Sequence, residues 1–237
     1  MTGMSVAENI AKLEERIQRA CDSAGRKREE ITLMGVSKFE SVDSARAAFL
    51  AGIRCFGESR VKEAIAKFEA KPGGGFSFRE ECQLHLIGSL QRNKAKAAAL
   101  FFDCAQSVDR DDIIFELAKY ASLREEPLMV LLELHTGEET KSGFASIDGL
   151  LRAAELVMGE ASLKPAGLMT MAPYTKDIDL IRSSFRRLVK ARNELEKRFP
   201  PKENWSCLSM GMSNDFETAI EEGSSMLRIG SLIFKEN

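Results

Sequence analysis

Apolar residues recur along the chain in two alternating rhythms. One is a helical stripe, as in Val6, Ile10, Leu13, Ile17 and Ala20, which predicts a helix over residues 5–24 closed by Gly25. The other is a short unbroken apolar run, as in Ile31-Thr32-Leu33-Met34-Gly35-Val36-Ser37-Lys38, which reads as a buried strand stopping at a lysine. The same alternation predicts further strands over 53–57, 83–88, 101–106, 127–134, 165–171, 205–209 and 226–229. Helices are expected between them over 41–51, 58–70, 93–100, 109–123, 147–158, 177–199 and 214–222. Asn214 and Glu217 have the spacing of a capping box. Lys71-Pro72-Gly73-Gly74-Gly75 is the clearest flexible loop, and it joins a helix to a strand rather than one domain to another.

Strict alternation implies parallel strands with crossover helices. Eight such units in 237 residues fit one (β/α)₈ barrel domain, a TIM barrel, with an extra N-terminal helix. A doubly wound open sheet is the alternative, but no G-x-G-x-x-G or G-x-x-x-x-G-K-[ST] motif favours it.

Composition narrows the function. The 44% apolar and 30% charged content is that of an ordinary soluble protein, and the net charge of -2 makes no case for nucleic acid or an anionic membrane as partner. No apolar run approaches a membrane span, and residues 1–12 read as polar helix rather than signal sequence. Cys21, Cys55, Cys82, Cys104 and Cys207 are odd in number and never in a C-x-x-C pair, which suits reduced core residues of a cytoplasmic protein. With only two histidines, no metal site is expected.

A barrel of this kind carries its site at the carboxyl ends of the strands, often with phosphate after the seventh and eighth. Those two loops have the right chemistry. Ser209-Met210-Gly211-Met212-Ser213-Asn214 is small and hydroxyl-rich, and in Arg228-Ile229-Gly230-Ser231 the glycine lets backbone N–H groups approach an anion. Taken singly, Gly230 reads as a turn, Ser213 as a cap and Lys38 as a solvated strand-end lysine. Together they place an amine and a phosphate cradle on one rim. In partly apolar surroundings, that amine would lose its proton more easily and attack a carbonyl. Two ligands fit: a phosphorylated sugar or aldehyde, as in a Schiff-base aldolase, or pyridoxal 5'-phosphate. A permanently charged Arg228 at the pyridine nitrogen would blunt the ring as an electron sink. His85 and His135 are read as hydrogen-bonded structural residues, Tyr174 as core or rim packing, and Met169 and Met171 as core. Glu138 to Lys141, Lys94 and Lys96 are read as solvated.

The motifs Val36-Ser37-Lys38, Phe56-Gly57-Glu58-Ser59-Arg60-Val61, His85-Leu86-Ile87-Gly88-Ser89-Leu90-Gln91-Arg92-Asn93-Lys94 and Ser107-Val108-Asp109-Arg110 follow one another in order. Lys141-Ser142-Gly143-Phe144, Gly167-Leu168-Met169, Leu208-Ser209-Met210-Gly211-Met212-Ser213 and Arg228-Ile229-Gly230-Ser231 continue the series. In that order the chain resembles the pyridoxal phosphate homeostasis proteins (the YggS or PROSC family) over residues 5–234. The resemblance implies a barrel like the N-terminal domain of alanine racemase, with pyridoxal phosphate held on Lys38 as a Schiff base. It also implies that Ser209, Gly211, Met212, Ser213, Gly230 and Ser231 surround the phosphate and that Arg228 faces the ring nitrogen. Members of the family maintain the intracellular balance of this cofactor with little catalysis, which makes cofactor-dependent apoenzymes natural recipients. The racemases' second domain is missing here, so a monomer is feasible. Phe39 stands where threonine is common, Ser59 where asparagine is typical, and Leu84 and Leu86 where aromatic residues flank the histidine, all placed by the resemblance near the ring. Three readings result: a cofactor carrier, a weak racemase or transaminase, and a cofactor-free aldolase.

Overall fold

The computed structural model describes residues 5–69, 78–137, 142–201 and 205–235. Helix α1 (Val6–Ser23) starts at Ser5, whose hydroxyl accepts from the Glu8 N–H while the Glu8 carboxylate accepts from the Ser5 N–H. The chain then runs β1 (Thr32–Val36), α2 (Val42–Leu50), β2 (Cys55–Glu58), α3 (Val61–Glu69), β3 (Gln83–Leu86), α4 (Ala95–Phe101), β4 (Cys104–Val108) and α5 (Asp111–Ala121). It continues through β5 (Leu128–Glu133), α6 (Ile147–Gly159), β6 (Leu163–Met169), α7 (Ile178–Arg198), β7 (Cys207–Ser209), α8 (Phe216–Glu221), β8 (Met226–Ile229) and α9 (Ser231–Phe234).

All eight strands are parallel and pair in sequence order into a closed barrel. It is the fold predicted from the alternation, and β1 and β8 close it with Met34 opposite Arg228 and Gly35 opposite Ile229. Because crossover helices cover the outside, each strand is buried on both faces. Inward-facing Met34, Val36, Cys55 and Met226 form one interior cluster, and Cys104, Leu131 and Met169 another. Outward-facing Leu33, Phe56, Leu84, Leu86, Val130 and Leu132 pack against the helices in the larger core. Among the described residues, no helix is long and apolar enough to cross a membrane.

Several boundaries differ from the predicted ones. Phe101 ends α4, and Phe102 closes it by donating its N–H to the Ala98 carbonyl, so β4 begins at Cys104. Two apolar residues at a helix end look like a strand start in sequence. Strand β6 starts at Leu163, and the register against β5 slips just past Pro165, which has no N–H for the ladder. Trp205 lies outside β7, fully buried, with its indole N–H donating to the Phe199 carbonyl at 2.9 Å. The Asn214–Glu217 capping box does not form. Asp215 is the residue before α8, its carboxylate accepts from the Met212 N–H, and Glu217 pairs with Arg16 of α1. Helix α9 was not predicted; the Asn9 amide of α1 holds it by donating to the Ile233 and Lys235 carbonyls, each at 3.1 Å. The loops at 71–75 and 138–141 lie outside the described residues.

Candidate cofactor site

The lumen's lower layers are apolar, and its upper layer is not. Four polar lumen residues keep step with an apolar inward neighbour two positions earlier: Gln106 with Cys104, Glu133 with Leu131, Ser209 with Cys207, Arg228 with Met226. In β1 the inward residues are Met34 and Val36, and Lys38 lies two positions beyond the strand's end.

Arg228 is buried and organises the layer. One of its guanidinium nitrogens donates to the Ser209 carbonyl at 2.6 Å and to the Ser209 hydroxyl at 2.7 Å, and the other to the Thr170 carbonyl at 2.7 Å. Because arginine only donates, the directions of all later bonds are set. The Ser209 hydroxyl must pass its own proton on, and it donates to Gln106 Oε1 at 2.6 Å. That turns the amide nitrogen of Gln106 toward His85 Nδ1, 2.7 Å away, so Nδ1 accepts and the imidazole proton sits on Nε2. Burial pushes the His85 pKa down to about 4, and a second proton on Nδ1 would face the amide's own hydrogens. His85 is therefore the hydrogen-bonded histidine expected from sequence, held neutral.

Two buried lumen atoms have no partner among the described residues: His85 Nε2 and Glu133 Oε2. Glu133 takes one hydrogen bond from the Ser142 hydroxyl at 2.8 Å. Burial raises its pKa, Asp109 adds to the rise, and Ser142 and Arg228 oppose it. Burial also disfavours the charge on Arg228, against the pull of Glu133 and Asp215.

Lys38 differs from expectation in one respect. The strand stops at Val36, and Lys38 sits exposed in a turn closed by the Glu40 N–H donating to the Ser37 carbonyl at 2.9 Å. Its side chain is exposed, and it pairs with no carboxylate among the described residues. Phe39 follows at φ 71°, a left-handed conformation unusual for a bulky side chain. Its ring is 72% exposed and lies under the Arg60 guanidinium at 5.2 Å.

The predicted anion loops lie to one side of this turn. In barrel order, the loop after β7, the loop after β8 and the turn after β1 are consecutive. Gly230 lies so close to β1 that a Cβ there would stand 3.2 Å from the Val36 carbonyl oxygen. Gly211 has φ 96°, and a Cβ would fall 2.6 Å from the Ala219 methyl, so this turn admits only glycine. Ser213 and Gly230 are half-buried and Ser231 is exposed; their backbone N–H groups meet no acceptor among the described residues. The Met212 N–H is taken by Asp215 at 2.6 Å. Ser209, another predicted anion ligand, is committed as well: it is fully buried, and its hydroxyl serves Gln106 and Arg228.

Other expectations sort as follows. Leu84 and Leu86 pack in the outer core rather than beside a ring. Tyr174 is 84% exposed and packs neither in the core nor along the rim. His135 is half-buried, with no ring hydrogen bond among the described residues. Met169 is core and Met171 packs beside it. Lys94 is half-buried and Lys96 exposed. Gln106, Glu133 and Thr170 were not singled out, although a polar residue inside an apolar strand run is a usable signal.

The pattern of the alanine racemase N-terminal-domain family matches residues 9–237. A protein of Aquifex aeolicus called pyridoxal phosphate homeostasis protein is 35% identical over 98% of this chain and 99% of its own length. One of the same name from Escherichia coli K12 is 36% identical over 97% of this chain and 95% of its own. Among solved structures, PipY of Synechococcus elongatus with pyridoxal phosphate bound superposes with a TM-score of 0.81 at 27% identity, covering 98% of this chain and all of that one. An alanine racemase of Clostridium difficile shares the fold, with a TM-score of 0.74 at 12% identity over 98% of this chain and 57% of its own.

Proposed function

The chain belongs to the pyridoxal phosphate homeostasis protein family, and from that premise we propose that it binds pyridoxal 5'-phosphate as a Schiff base on Lys38 and serves as a carrier or reservoir of the cofactor. The observation that carries the reading is the adjacency of three rim segments. Lys38, exposed and without a carboxylate partner among the described residues, lies next to two loops in which the Ser213, Gly230 and Ser231 N–H groups meet no acceptor among those residues, above a guanidinium pinned by three hydrogen bonds. The residues also fit a polar group, since two buried polar atoms of the lumen wall lack partners among the described residues.

Bound there, the cofactor supplies an aldehyde that condenses with a primary amine, its oxygen leaving as water. Lys38 contributes the amine. The backbone N–H groups of Ser213, Gly230 and Ser231 would hold the phosphate, and Gly211 and Gly230 would give the backbone its close approach. Arg228 is a donor only, so set against a pyridine nitrogen it would keep a proton off that atom and weaken the chemistry that racemases need. This favours storage and delivery to apoenzymes over turnover.

A second reading, slow racemase or transaminase turnover, rests on Glu133, an inward carboxyl whose raised pKa suits proton transfer. Formation of keto acid or of the opposite enantiomer from amino acids would support it.

The test is mass spectrometry of borohydride-reduced protein, with Lys38→Ala as control. A pyridoxyl-phosphate adduct on the Lys38 peptide, absent from the variant, is expected. No adduct after incubation with excess pyridoxal phosphate would overturn the cofactor reading and leave the aldolase alternative.

A further inference from the structure

Behind Lys38 lies a buried ion pair that the cofactor loops do not use. Lys67 of α3 and Glu58 of β2 meet at 2.8 Å, with side chains only 9% and 2% exposed. Both reach the residue just before Lys38. Lys67 Nζ donates to the Ser37 carbonyl at 2.6 Å, and the Ser37 hydroxyl donates to Glu58 Oε1 at 2.7 Å. The Ser37 N–H donates to the Gly57 carbonyl at 3.2 Å, so every polar atom of Ser37 is held.

A buried ion pair is a poor source of stability. The cost of desolvating two charges largely cancels their attraction, and apolar residues of similar volume often do as well or better. What an apolar pair cannot do is grip a carbonyl and a hydroxyl of the same residue from two elements. The left-handed Phe39 makes that grip consequential, because a strained turn keeps its geometry only where its surroundings over-determine it.

We propose that Glu58 and Lys67 are positioning residues for Lys38: through Ser37 they fix the turn that aims its amine at the aldehyde. The proposal rests on the carrier reading above. In the step it serves, the neutral Lys38 amine adds its lone pair to the aldehyde carbon. A C=N bond replaces C=O, and the carbonyl oxygen leaves as water with both amine hydrogens. Neither Glu58 nor Lys67 touches the reacting atoms; both set where Lys38 begins.

The test is the double variant Glu58→Leu/Lys67→Met, which removes both charges together. Its urea midpoint is expected to equal or exceed that of the parent protein. Its visible absorbance with pyridoxal phosphate should grow about tenfold or more slowly, since a displacement of about 1 Å can cost more than that. Without cofactor, the Glu40 amide, whose N–H closes the Lys38 turn, should exchange hydrogen about tenfold faster. A folded double variant that loads Lys38 and exchanges Glu40 at parental rates overturns the proposal. Should the double variant not fold, Ser37→Ala keeps the ion pair and removes one of the two grips. It should load Lys38 about threefold more slowly, and loading at the parental rate again overturns the proposal. If the parent protein itself carries no adduct on Lys38, the carrier reading has failed instead.

Discussion

His85 allows the lumen network to be tested without any ligand. In the unfolded chain its imidazole takes up a proton near pH 6.5, whereas in the barrel it stays neutral to about pH 4. The folded-state value is lowered, so His85 contributes stability that is present above pH 6.5 and lost as the pH falls toward 4. The loss amounts to about 2 kcal/mol at pH 5 and about 3 kcal/mol once both forms have titrated. Glu133 and Asp215 work in the opposite sense, because burial raises their pKa values and the fold takes up their protons earlier than the unfolded chain as the pH drops. The bare pH profile is therefore a sum, and a control is needed to isolate the histidine. His85→Gln provides it, being uncharged at every pH while keeping an acceptor for the Gln106 amide. Urea unfolding at pH 7.5 and pH 5 should show the parent protein losing about 2 kcal/mol more than the variant. Parallel losses would refute both the neutral tautomer and the donor relay from Arg228 that imposes it.

Two further outcomes are expected. Gly211→Ala should lower unfolding free energy by about 2–3 kcal/mol in urea, since it adds a left-handed alanine and a methyl 2.6 Å from Ala219; parental stability would mean the turn can relax. The thiols of the native protein should react slowly with a disulfide reagent at pH 8, because burial pushes Cys82 and Cys207 up to about 11 and raises Cys21, Cys55 and Cys104. All five should react at once in guanidinium, and fast native labelling would contradict the packing.

The barrel was legible because its two building rhythms differ so clearly: the stripe of α1 and the apolar run of β1 cannot be confused. The errors fell where the rhythms share a vocabulary, as at Phe101-Phe102, or where a residue breaks a rule inside an element, as Pro165 does in β6. The site was half legible. Of the proposed site, Gly211, Gly230 and Lys38 stand out in the sequence by type and position. Strands buried on both faces show no alternation, so the sequence does not say which side looks into the lumen. That hid the difference between Leu84, which faces the helices, and Gln106, which faces the barrel axis. It also hid Ser209's commitment to Arg228, and the pairing of Lys67 with Glu58 across two elements.

The seam between β1 and β8 has a consequence for how the chain is made. Parallel pairing of Thr32–Gly35 with Met226–Ile229 joins segments from opposite ends of the sequence, and Asn9 reaches Ile233 across 224 positions. On a ribosome, β1 therefore waits with an open, apolar edge while nearly two hundred further residues are synthesised. The turn bearing Lys38 and the loop of Gly230 meet only when that seam shuts. The last step of building the barrel is thus also the step that assembles the proposed site, and a half-made chain has Lys38 but no Gly230 loop beside it.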